Sequence, residues 1–434
     1  MPQGLVADAA AQAGLSRMAL GLVGSEILKI AAEIRHMVER GRQVCNLTVG
    51  DFAPAQFPIP RALQEAIHRA YERRETNYPP SDGVLMVRES VRDFYRRELG
   101  LDHPLAGIVV TGGARPAIYA TFRAVVEPGE RVIYPTPSWN NNHYCHLTQA
   151  TPVELPTTAG EWFMPTADKL RPLLPGARLL CLNSPLNPTG TVLGRDELVR
   201  ICELVVQENR RRQHTGERLL YVMYDQVYWM LTFGGTRHHT PVELVPEMAA
   251  YTIFVDGVSK SLAATGLRVG WTVAPPYVAA RMRDILGHVG AWAPRPEQVA
   301  VGEVLADREA LGAYHREMTS QVQLRLGLLY DGILQLRASG LQVDAIAPQG
   351  AIYLSVQVPI HGRRLPAEHG GDEVRTNEQI RRYLLDAAGA AVVPFQAFGM
   401  RDETGWMRLS VGAVSPEEIR AMLPRLEAAL RALA

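Results

Sequence analysis

The sequence is poor in cysteine, and the few cysteines it has are far apart. Among 434 residues there are four, at positions 45, 145, 181 and 202, and no two form a C-x-x-C pair. This spacing excludes a disulfide framework and a cysteine-based metal site. Cys181, within RLLCLNS, is typical of a small residue in a buried core. We therefore expect a protein of a reducing compartment without a bound metal.

Net charge and long apolar runs are also lacking. Lysine and arginine total 45, and aspartate and glutamate also total 45, so the formal net charge is zero. Such a balance gives no reason to expect nucleic acid or an acidic membrane surface as a partner. No apolar run is long enough to cross a membrane, and no secretory signal pattern opens the chain. The sequence therefore predicts a soluble, cytoplasmic protein.

What the sequence does contain is a regular alternation of short apolar segments and helical segments. From about Pro60 to Pro294 the apolar segments are GIVV, RVIYPTPSW, ARLLCLNSP, RLLYVMYDQVY, YTIFVDGVSK and LRVGWTVAP. Apolar runs of about four to eight residues that alternate with helices indicate buried, mostly parallel strands. The predicted fold class is therefore α/β, with a mostly parallel central sheet flanked by helices.

The length of the chain favours more than one packed unit. We expect residues 58–296 to form the large domain. Residues 1–57 carry a helical pattern, SEILKIAAEIRHMVERG, and then a turn-rich stretch. Residues 297–434 carry long amphipathic helices, strands within AIYLSVQV and WMRLSVG, and a polar insertion near 361–376. Together, 1–57 and 297–434 are predicted to form a smaller α+β domain.

Polar residues collect just after the predicted strands, at the edge where open parallel sheets bind ligands. In TGGARPAIYA, Gly112 and Gly113 precede a helix predicted to begin near Pro116. This pattern is typical of a phosphate cradle, or of a tight turn without a ligand. Trp139, in PTPSWNNNH, can stack on a planar ring or can be a half-buried loop residue.

Three further stretches belong to the same edge. NSPLNPTG is a constrained loop that can include a cis proline, and its Asn187 can donate a hydrogen bond into the cleft. Asp225, in YDQVY, needs a cation or donors if it is buried, or else it caps the next helix. In DGVSKSLAATGLRVGW, Lys260 can be a Schiff-base amine or a snorkelling surface lysine, and Arg268 alone can be a salt-bridge partner.

The chemical needs of these residues are complementary. The cradle and an arginine suit a phosphate, the indole suits a ring face, and the carboxylate suits a pyridinium nitrogen. The Asn187 amide and the Tyr228 hydroxyl suit a phenolic oxygen, and the Lys260 amine suits an aldehyde. Pyridoxal 5′-phosphate has all of these parts. The sequence therefore predicts an enzyme that uses this cofactor.

From NLTVGDFAP to MRLSVGA the sequence resembles the class I/II aminotransferase family, the aspartate-aminotransferase-like branch of fold type I pyridoxal-phosphate enzymes. NSPLNPTG, YDQVY and SK followed by TGLRVGW carry the resemblance. It implies the fold type I arrangement of a large and a small domain. It also implies transfer of an α-amino group from an amino acid to a 2-oxo acid, and a homodimer with shared active sites.

The resemblance also implies roles for single residues. Lys260 would form the Schiff base and move the proton at the substrate α-carbon, Asp225 would keep the ring nitrogen protonated, and Tyr228 would bind the phenolic oxygen. The implied cofactor-binding set is Tyr78 (toward the neighbouring subunit), Gly113, Ala114, Arg115, Trp139, Asn187, Asp225, Tyr228, Ser259, Lys260 and Arg268. The implied substrate-binding set is Gly50, Trp139, Asn187 and Arg408, whose planar guanidinium would clamp the α-carboxylate.

Three departures from the family pattern fall near the expected site. Gly257 stands where many relatives have a phosphate-binding serine, so either Ser259 or Ser261 substitutes for it or that contact is missing. Phe395 stands where glycine is common, and the segment WNNNHYCHL is unusually polar. These departures keep an alternative open, in which the same scaffold catalyses β- or γ-elimination, replacement or cyclisation of an amino acid.

Two further questions concern substrate choice and the class of protein. Arg295 could bind a second carboxylate from the partner subunit, or could be an exposed arginine. A cofactor-sensing transcription regulator would need a DNA-binding domain, and the roughly 20 residues before the first predicted helix are too few for one.

Overall fold

A seven-stranded sheet is the centre of the structure, a computed structural model that describes residues 14–22, 24, 30, 33–34, 36–37 and 39–433. After a short β1 (Cys45–Asn46), the sheet is formed by β2 (Ile108–Thr111), β3 (Arg131–Thr136), β4 (Thr151–Pro156), β5 (Ala177–Asn183), β6 (Tyr221–Asp225), β7 (Thr252–Gly257) and β8 (Gly270–Val273). The strand order is β2-β8-β7-β6-β5-β3-β4. In this sheet β8 pairs antiparallel with β7 and β2, and the other pairs are parallel. The predicted α/β class and mostly parallel sheet are confirmed.

Helices cover both faces of this sheet, because alternate strand residues point to opposite sides. On one face lie the helices Ala114–Val125 and Pro276–Val289. On the other face lie Arg61–Glu72, Leu85–Leu99, Arg195–Thr215 and Arg295–Ala306. Shorter helices are Arg17–Gly21, Asn141–Thr148, Ala167–Leu170, Pro241–Leu244 and Val258–Ser261. Among the described helices, none has the length and apolar character needed to span a membrane.

The helix after β2 begins earlier than the sequence predicted. It starts at Ala114 and not near Pro116, because Gly113 adopts a φ of 90° and turns the chain directly into the helix. Pro116 is tolerated in the first turn, where its missing N–H would have no intrahelical partner.

A second, antiparallel sheet is formed by the C-terminal part of the chain. Its strands are β9 (Asp344–Ala345), β10 (Tyr353–Gln357), β12 (Val393–Pro394) and β13 (Trp406–Ser410), in the order β12-β13-β10-β9, while β11 (Ala390–Ala391) pairs in parallel with β1. The helices Arg308–Ala338, Asn377–Ala388 and Pro416–Arg431 pack with it. Leu47, Phe52 and Phe57 from the N-terminal segment enter the same apolar core. The strands β10 and β13 confirm those predicted within AIYLSVQV and WMRLSVG.

The division into 1–57, 58–296 and 297–434 stays a prediction, with one refinement. The helix Arg295–Ala306 packs against Arg61–Glu72 and Leu85–Leu99, which belong to the large sheet. Asp307 ends it and caps the next helix by accepting a hydrogen bond from Ala310 N at 3.0 Å. We therefore propose Asp307 as the C-terminal boundary of the large domain. The helix predicted over 25–41 lies largely outside the described residues.

Candidate active site

Lys260 lies at one edge of the large sheet, in the helical turn Val258–Ser261 that follows β7. Its Nζ donates a hydrogen bond to the Gly50 carbonyl oxygen at 2.6 Å. The same atom lies 6.0 Å from the ring centroid of Phe52 and 5.8 Å from that of Tyr228. The amine is therefore enclosed by the N-terminal segment on one side and by the turn after β6 on the other.

The surroundings of the Lys260 amine disfavour its charged form. Burial lowers the pKa of Lys260 to about 8. Asp51 opposes this shift, and the positive charges of Arg408, Arg115 and Arg268 add to it. An amine with a pKa this close to neutral is partly unprotonated at physiological pH, which suits attack on a carbonyl carbon.

Asp225 is the last residue of β6, and its carboxylate has little compensation. Its Oδ1 accepts a hydrogen bond from Val227 N at 3.2 Å, and no other hydrogen bond to its carboxylate is found in the part of the chain that the structure describes. The Asp225 side chain is only partly exposed. Because protein atoms surround it, burial raises the pKa of its carboxyl group to about 6. Such a carboxylate requires a further cation or donor.

Gly113 and Arg268 form a corner suited to an anion. The Arg268 guanidinium donates to the Thr265 carbonyl at 2.6 Å and to the Gly112 carbonyl at 2.9 Å. A Cβ on Gly113 would overlap this guanidinium, so only glycine allows the approach. The helix that begins at Ala114 points its free N–H groups at the same corner.

Arg115 and Trp139 are stacked next to this corner. The Arg115 Cζ lies 4.7 Å from the Trp139 ring centroid, and the Arg115 side chain is exposed. Among the described residues, no carboxylate lies within ion-pair distance of Arg115. The cleft therefore offers a guanidinium that can still bind an anion.

Arg408 is buried on the opposite side of the cleft. Its Nη1 donates to Asn187 Oδ1 at 3.2 Å, and its Nη2 donates to the Thr48 carbonyl at 2.6 Å. The guanidinium carbon lies 4.8 Å from the ring centroids of both Tyr353 and Phe398. Its buried Nε has no hydrogen-bond partner. A guanidinium fixed between two rings, with donor capacity left over, suits a carboxylate ligand.

The loop NSPLNPTG orients Asn187 toward Arg408. Cis peptide bonds precede Pro185 and Pro188, as the sequence allowed. Asn187 N donates to Asn183 Oδ1 at 2.9 Å, and Asn183 Nδ2 donates to the Asp225 carbonyl at 2.9 Å. The loop is thus tied to the end of β6.

The structure explains why residue 257 is glycine. A Cβ there would lie 2.7 Å from Gly270 Cα and 2.9 Å from the Val269 carbonyl oxygen, so a serine would force the backbone of β8 to move. Of the two substitutes, Ser261 donates to the Gly257 carbonyl at 3.4 Å. The half-buried Ser259 makes no side-chain hydrogen bond within the described residues and stays the candidate phosphate ligand.

The other two departures lie next to residues of the cleft. Phe395 is fully buried, with its ring 5.3 Å from that of Phe163 and 6.2 Å from that of Trp406. Its effect on the substrate site stays a prediction, because its ring lies 6.3 Å from that of Phe398, the ring that contacts Arg408.

The polar segment WNNNHYCHL serves local packing. Asn141 Nδ2 donates to Ser138 Oγ at 3.2 Å. His146 Nε2 lies 2.8 Å from the Met18 carbonyl oxygen and holds the short helix Arg17–Gly21.

Two predicted residues make none of the cleft contacts described above. Tyr78 is 82% exposed and packs edge-on against Trp292, with ring centroids 5.5 Å apart. Arg295 forms an ion pair with Glu75, with 2.7 Å between Nε and Oε2. Arg295 is therefore already neutralised, which reduces its suitability for a substrate carboxylate.

Four contacting residues escaped the sequence analysis: Thr48, Asp51, Tyr353 and Phe398. Asp51 Oδ1 accepts from Thr265 Oγ1 at 2.7 Å, so the N-terminal segment is anchored to the turn that presents Arg268. The sequence signal for Thr48 and Asp51 was present, because both flank the recognised Gly50.

Residues 42–426 match the family model described as aminotransferase class I and II. The chain belongs to the class I and II aminotransferases. It is 30% identical to the aspartate aminotransferase of Rhizobium meliloti (strain 1021), with 93% of each chain covered. It is also 30% identical to a probable aspartate/prephenate aminotransferase of Thermus aquaticus, over 96% of this chain and 100% of the relative.

Solved structures show the same relationship. The crystal structure of the Rhizobium meliloti aspartate aminotransferase has a TM-score of 0.86 at 28% identity and covers 97% of this chain and 99% of that one. The Thermus thermophilus aspartate aminotransferase with maleate has a TM-score of 0.84 at 28% identity and covers 96% and 100%. The chain is thus an aminotransferase with the fold type I architecture, and elimination, replacement or cyclisation is not favoured.

Proposed function

We propose that this aminotransferase binds pyridoxal 5′-phosphate at the described sheet edge and transfers the amino group of an acidic amino acid to a 2-oxo acid. The observation that carries the proposal is a pair of groups whose hydrogen-bonding capacity is only partly used. Lys260 is an amine with a pKa lowered to about 8, and Asp225 is a carboxylate that accepts a single hydrogen bond. An aldehyde fits the amine, and a protonated ring nitrogen compensates the carboxylate.

The remaining groups fit the rest of this cofactor. The Gly113 corner and the Arg268 guanidinium offer donors and positive charge to a phosphate, and Trp139 offers a ring face. The proposed cofactor-binding residues are Gly113, Ala114, Arg115, Trp139, Asn187, Asp225, Tyr228, Ser259, Lys260 and Arg268, with Tyr78 from a second copy. When bound, the cofactor supplies an electron sink for the charge that develops at the substrate α-carbon.

The residues of the chain would then divide the work. Arg408 holds the substrate α-carboxylate with two parallel hydrogen bonds, which orients the α-carbon as well as binding it. Lys260 Nζ takes the proton from that carbon and returns it at the other end of the transfer. Gly50 brings the N-terminal segment over the amine and excludes water from it.

The acidic substrate class rests on Arg115 and on the relatives. The first relatives are named aspartate aminotransferases, and the similar structure from Thermus thermophilus was solved with maleate, a dicarboxylate. In this chain the exposed Arg115 guanidinium is stacked on Trp139 without a carboxylate partner among the described residues. We propose that its backbone belongs to the phosphate cradle and that its side chain binds the distal carboxylate.

A homodimer is part of the proposal. Because Tyr78 is 82% exposed, it is available to complete the phosphate site of a partner. The cytoplasmic location rests on the sequence alone.

The test is a half-reaction with a lysine variant and a matched control. The protein, loaded with pyridoxal phosphate, is incubated with aspartate without any oxo acid, and the released 2-oxo acid and ammonia are measured. We expect 2-oxo acid in an amount equal to the bound cofactor, and no free ammonia. Lys260→Ala should lose this reaction. Lys169→Ala should keep it, because Lys169 pairs with Glu161 at 2.6 Å and contacts none of the proposed site residues. Continuous release of ammonia would instead support elimination.

A further inference from the structure

Tyr228 and Tyr353 form a hydroxyl pair at the centre of the cleft. Their oxygens are 2.6 Å apart, and their rings meet edge to face with centroids 5.6 Å apart. Tyr228 follows β6, whereas Tyr353 begins β10 of the second sheet, so the pair joins two parts of the fold. Both side chains are buried, at 4% and 0% exposure. Neither hydroxyl can therefore rely on solvent for its hydrogen bonds.

The pair has more donors than the surrounding protein satisfies. Burial raises the pKa of both hydroxyls, so both carry their proton at neutral pH. Two hydrogens are then present, and the bond between the oxygens uses one. The other hydrogen has no acceptor in the part of the chain that the structure describes. A buried donor without an acceptor is costly, which indicates that a ligand supplies the acceptor.

The surroundings distinguish the two ends of the pair. The Tyr228 ring lies 5.8 Å from Lys260 Nζ, at the proposed cofactor. The Tyr353 hydroxyl lies beside Gly50, 3.0 Å from where a Cβ on that residue would be. Either oxygen of the pair can donate. When Tyr353 donates, the free hydrogen stays on Tyr228, whose ring is next to the amine and the proposed cofactor.

We infer that Tyr353 is a positioning residue that donates to Tyr228 and thereby aims the Tyr228 hydrogen at the phenolic oxygen of the cofactor. This inference rests on the proposed function. A hydroxyl that accepts one hydrogen bond becomes a stronger donor in the next. Tyr353 thus strengthens the support that Tyr228 gives to negative charge on the phenolic oxygen.

The ring of Tyr353 has a separate task. It packs against the Arg408 guanidinium at 4.8 Å, and Phe398 packs against the other side at the same distance. The hydroxyl therefore acts toward the cofactor and the ring acts toward the substrate carboxylate. Because Tyr353→Phe removes the hydroxyl and keeps the ring, the two tasks can be tested apart.

The experiment titrates the absorption of the bound cofactor against pH and measures KM and kcat in the loaded enzyme. A hydrogen-bond donor to the phenolic oxygen stabilises negative charge there, so the bound cofactor loses its proton at lower pH. Tyr353→Phe weakens that donor and should therefore move the spectral transition to higher pH. Tyr228→Phe should move it further. For Tyr353→Phe, we expect kcat to fall roughly fivefold, as for one hydrogen bond, with KM of the amino acid within about twofold.

Two further variants make the result specific. Phe398→Leu removes the other ring at Arg408 and has no link to Tyr228, so it should raise KM by roughly threefold and leave the spectral transition in place. In a Tyr228→Phe background, Tyr353→Phe should cause no additional spectral shift, because its effect passes through the Tyr228 hydroxyl.

Each other outcome contradicts a defined statement. An unshifted transition in Tyr353→Phe, or an equal shift in the presence and absence of the Tyr228 hydroxyl, overturns the role of Tyr353. A shift to lower pH with a raised KM means that the bond runs from Tyr228 to Tyr353 and that the free hydrogen serves the substrate. Absence of a cofactor band in the unmodified protein overturns the proposed function instead.

Discussion

Two aspartates near the ends of neighbouring strands, both surrounded by protein atoms, differ in how they are satisfied. Asp225 on β6 accepts a single backbone hydrogen bond. Asp256 on β7 accepts three, from Gly257 N at 2.7 Å and from the Tyr95 hydroxyl and Trp229 Nε1, each at 2.9 Å. Burial raises the pKa of both, to about 6 for Asp225 and about 7 for Asp256. A raised pKa therefore does not separate a site carboxylate from a structural one, whereas unused hydrogen-bonding capacity does.

The pairing of β6 and β7 explains this difference. Asp225 and Val255 are Cα partners, so Asp256, one residue later, faces the other side of the sheet. Val255 packs in the same apolar cluster as the helix Ala114–Val125, which begins at the corner formed by Gly113 and Arg268. Asp256 lies instead with Tyr95 from the helix Leu85–Leu99. On the face toward the proposed ligand, the Asp225 carboxylate keeps unused hydrogen-bonding capacity. On the packed face, the Asp256 carboxylate accepts three hydrogen bonds.

The largest expected effect is the loss of catalysis in Asp225→Asn. Removal of one partner from a buried charge pair costs about 3–5 kcal/mol, so kcat should fall roughly 100- to 1000-fold or more. The shape of the side chain and the bond from Val227 N can be kept by the amide oxygen. Steady-state kinetics of the loaded variant with aspartate and a 2-oxo acid provides the measurement.

Retention of normal kcat in Asp225→Asn would remove the distinction between the two aspartates. Cofactor content should be measured in the same samples, because weaker loading alone would lower the apparent rate. The expected result is a fully loaded protein at high cofactor concentration that still turns over slowly.

A smaller effect, on stability and not on chemistry, is expected on the packed side. Tyr95→Phe removes a hydroxyl that donates to Asp256 and accepts from Gln226 Nε2 at 3.1 Å and from Trp271 Nε1 at 3.2 Å. Two donors and a carboxylate then lose a partner in a buried place, so the free energy of unfolding should fall by about 2–3 kcal/mol. Urea unfolding measures the loss, and KM and the cofactor spectrum should stay unchanged. A fall in kcat like that of Asp225→Asn would show that both faces serve catalysis.

The same comparison shows what the sequence could reveal. Asp225 was recognisable because YDQVY is a family motif and a carboxylate that ends an apolar strand stands out. Asp256 lies in the equally informative stretch DGVSK, and its three partners come from residues 95, 229 and 257. Strand periodicity could place it opposite Asp225, but only the packing of a helix 161 residues away shows that it is satisfied.

Tyr353 and Phe395 show the limits of pattern reasoning in opposite directions. AIYLSVQV is correctly recognised as a strand, but alternation alone does not reveal that the Tyr353 hydroxyl meets Tyr228 125 residues away. Phe395 stands at a position where a family comparison expects glycine, yet its ring turns into the core. Motif position predicted the groups proposed to bind the cofactor, whereas side-chain direction and partners required the packed structure.

The smallest expected effect is a pH-dependent difference in stability between the cofactor-free protein and Asp225→Asn. In the folded protein the pKa of Asp225 is raised from 3.8 to about 6, so the folded state holds this proton more tightly than the unfolded state. Ionisation therefore destabilises the fold progressively between about pH 4 and 6, and the asparagine variant avoids this loss. Since the side chain is partly open to solvent, we expect a relative gain for the variant of about 1 kcal/mol from pH 4 to 7. Both proteins are unfolded in urea at each pH, so the contributions of the titrating groups they share cancel in the difference between their free energies of unfolding. With cofactor bound, a protonated ring nitrogen would compensate the Asp225 carboxylate, so the order should reverse. Parallel curves in both states would mean that Asp225 is already satisfied without a ligand.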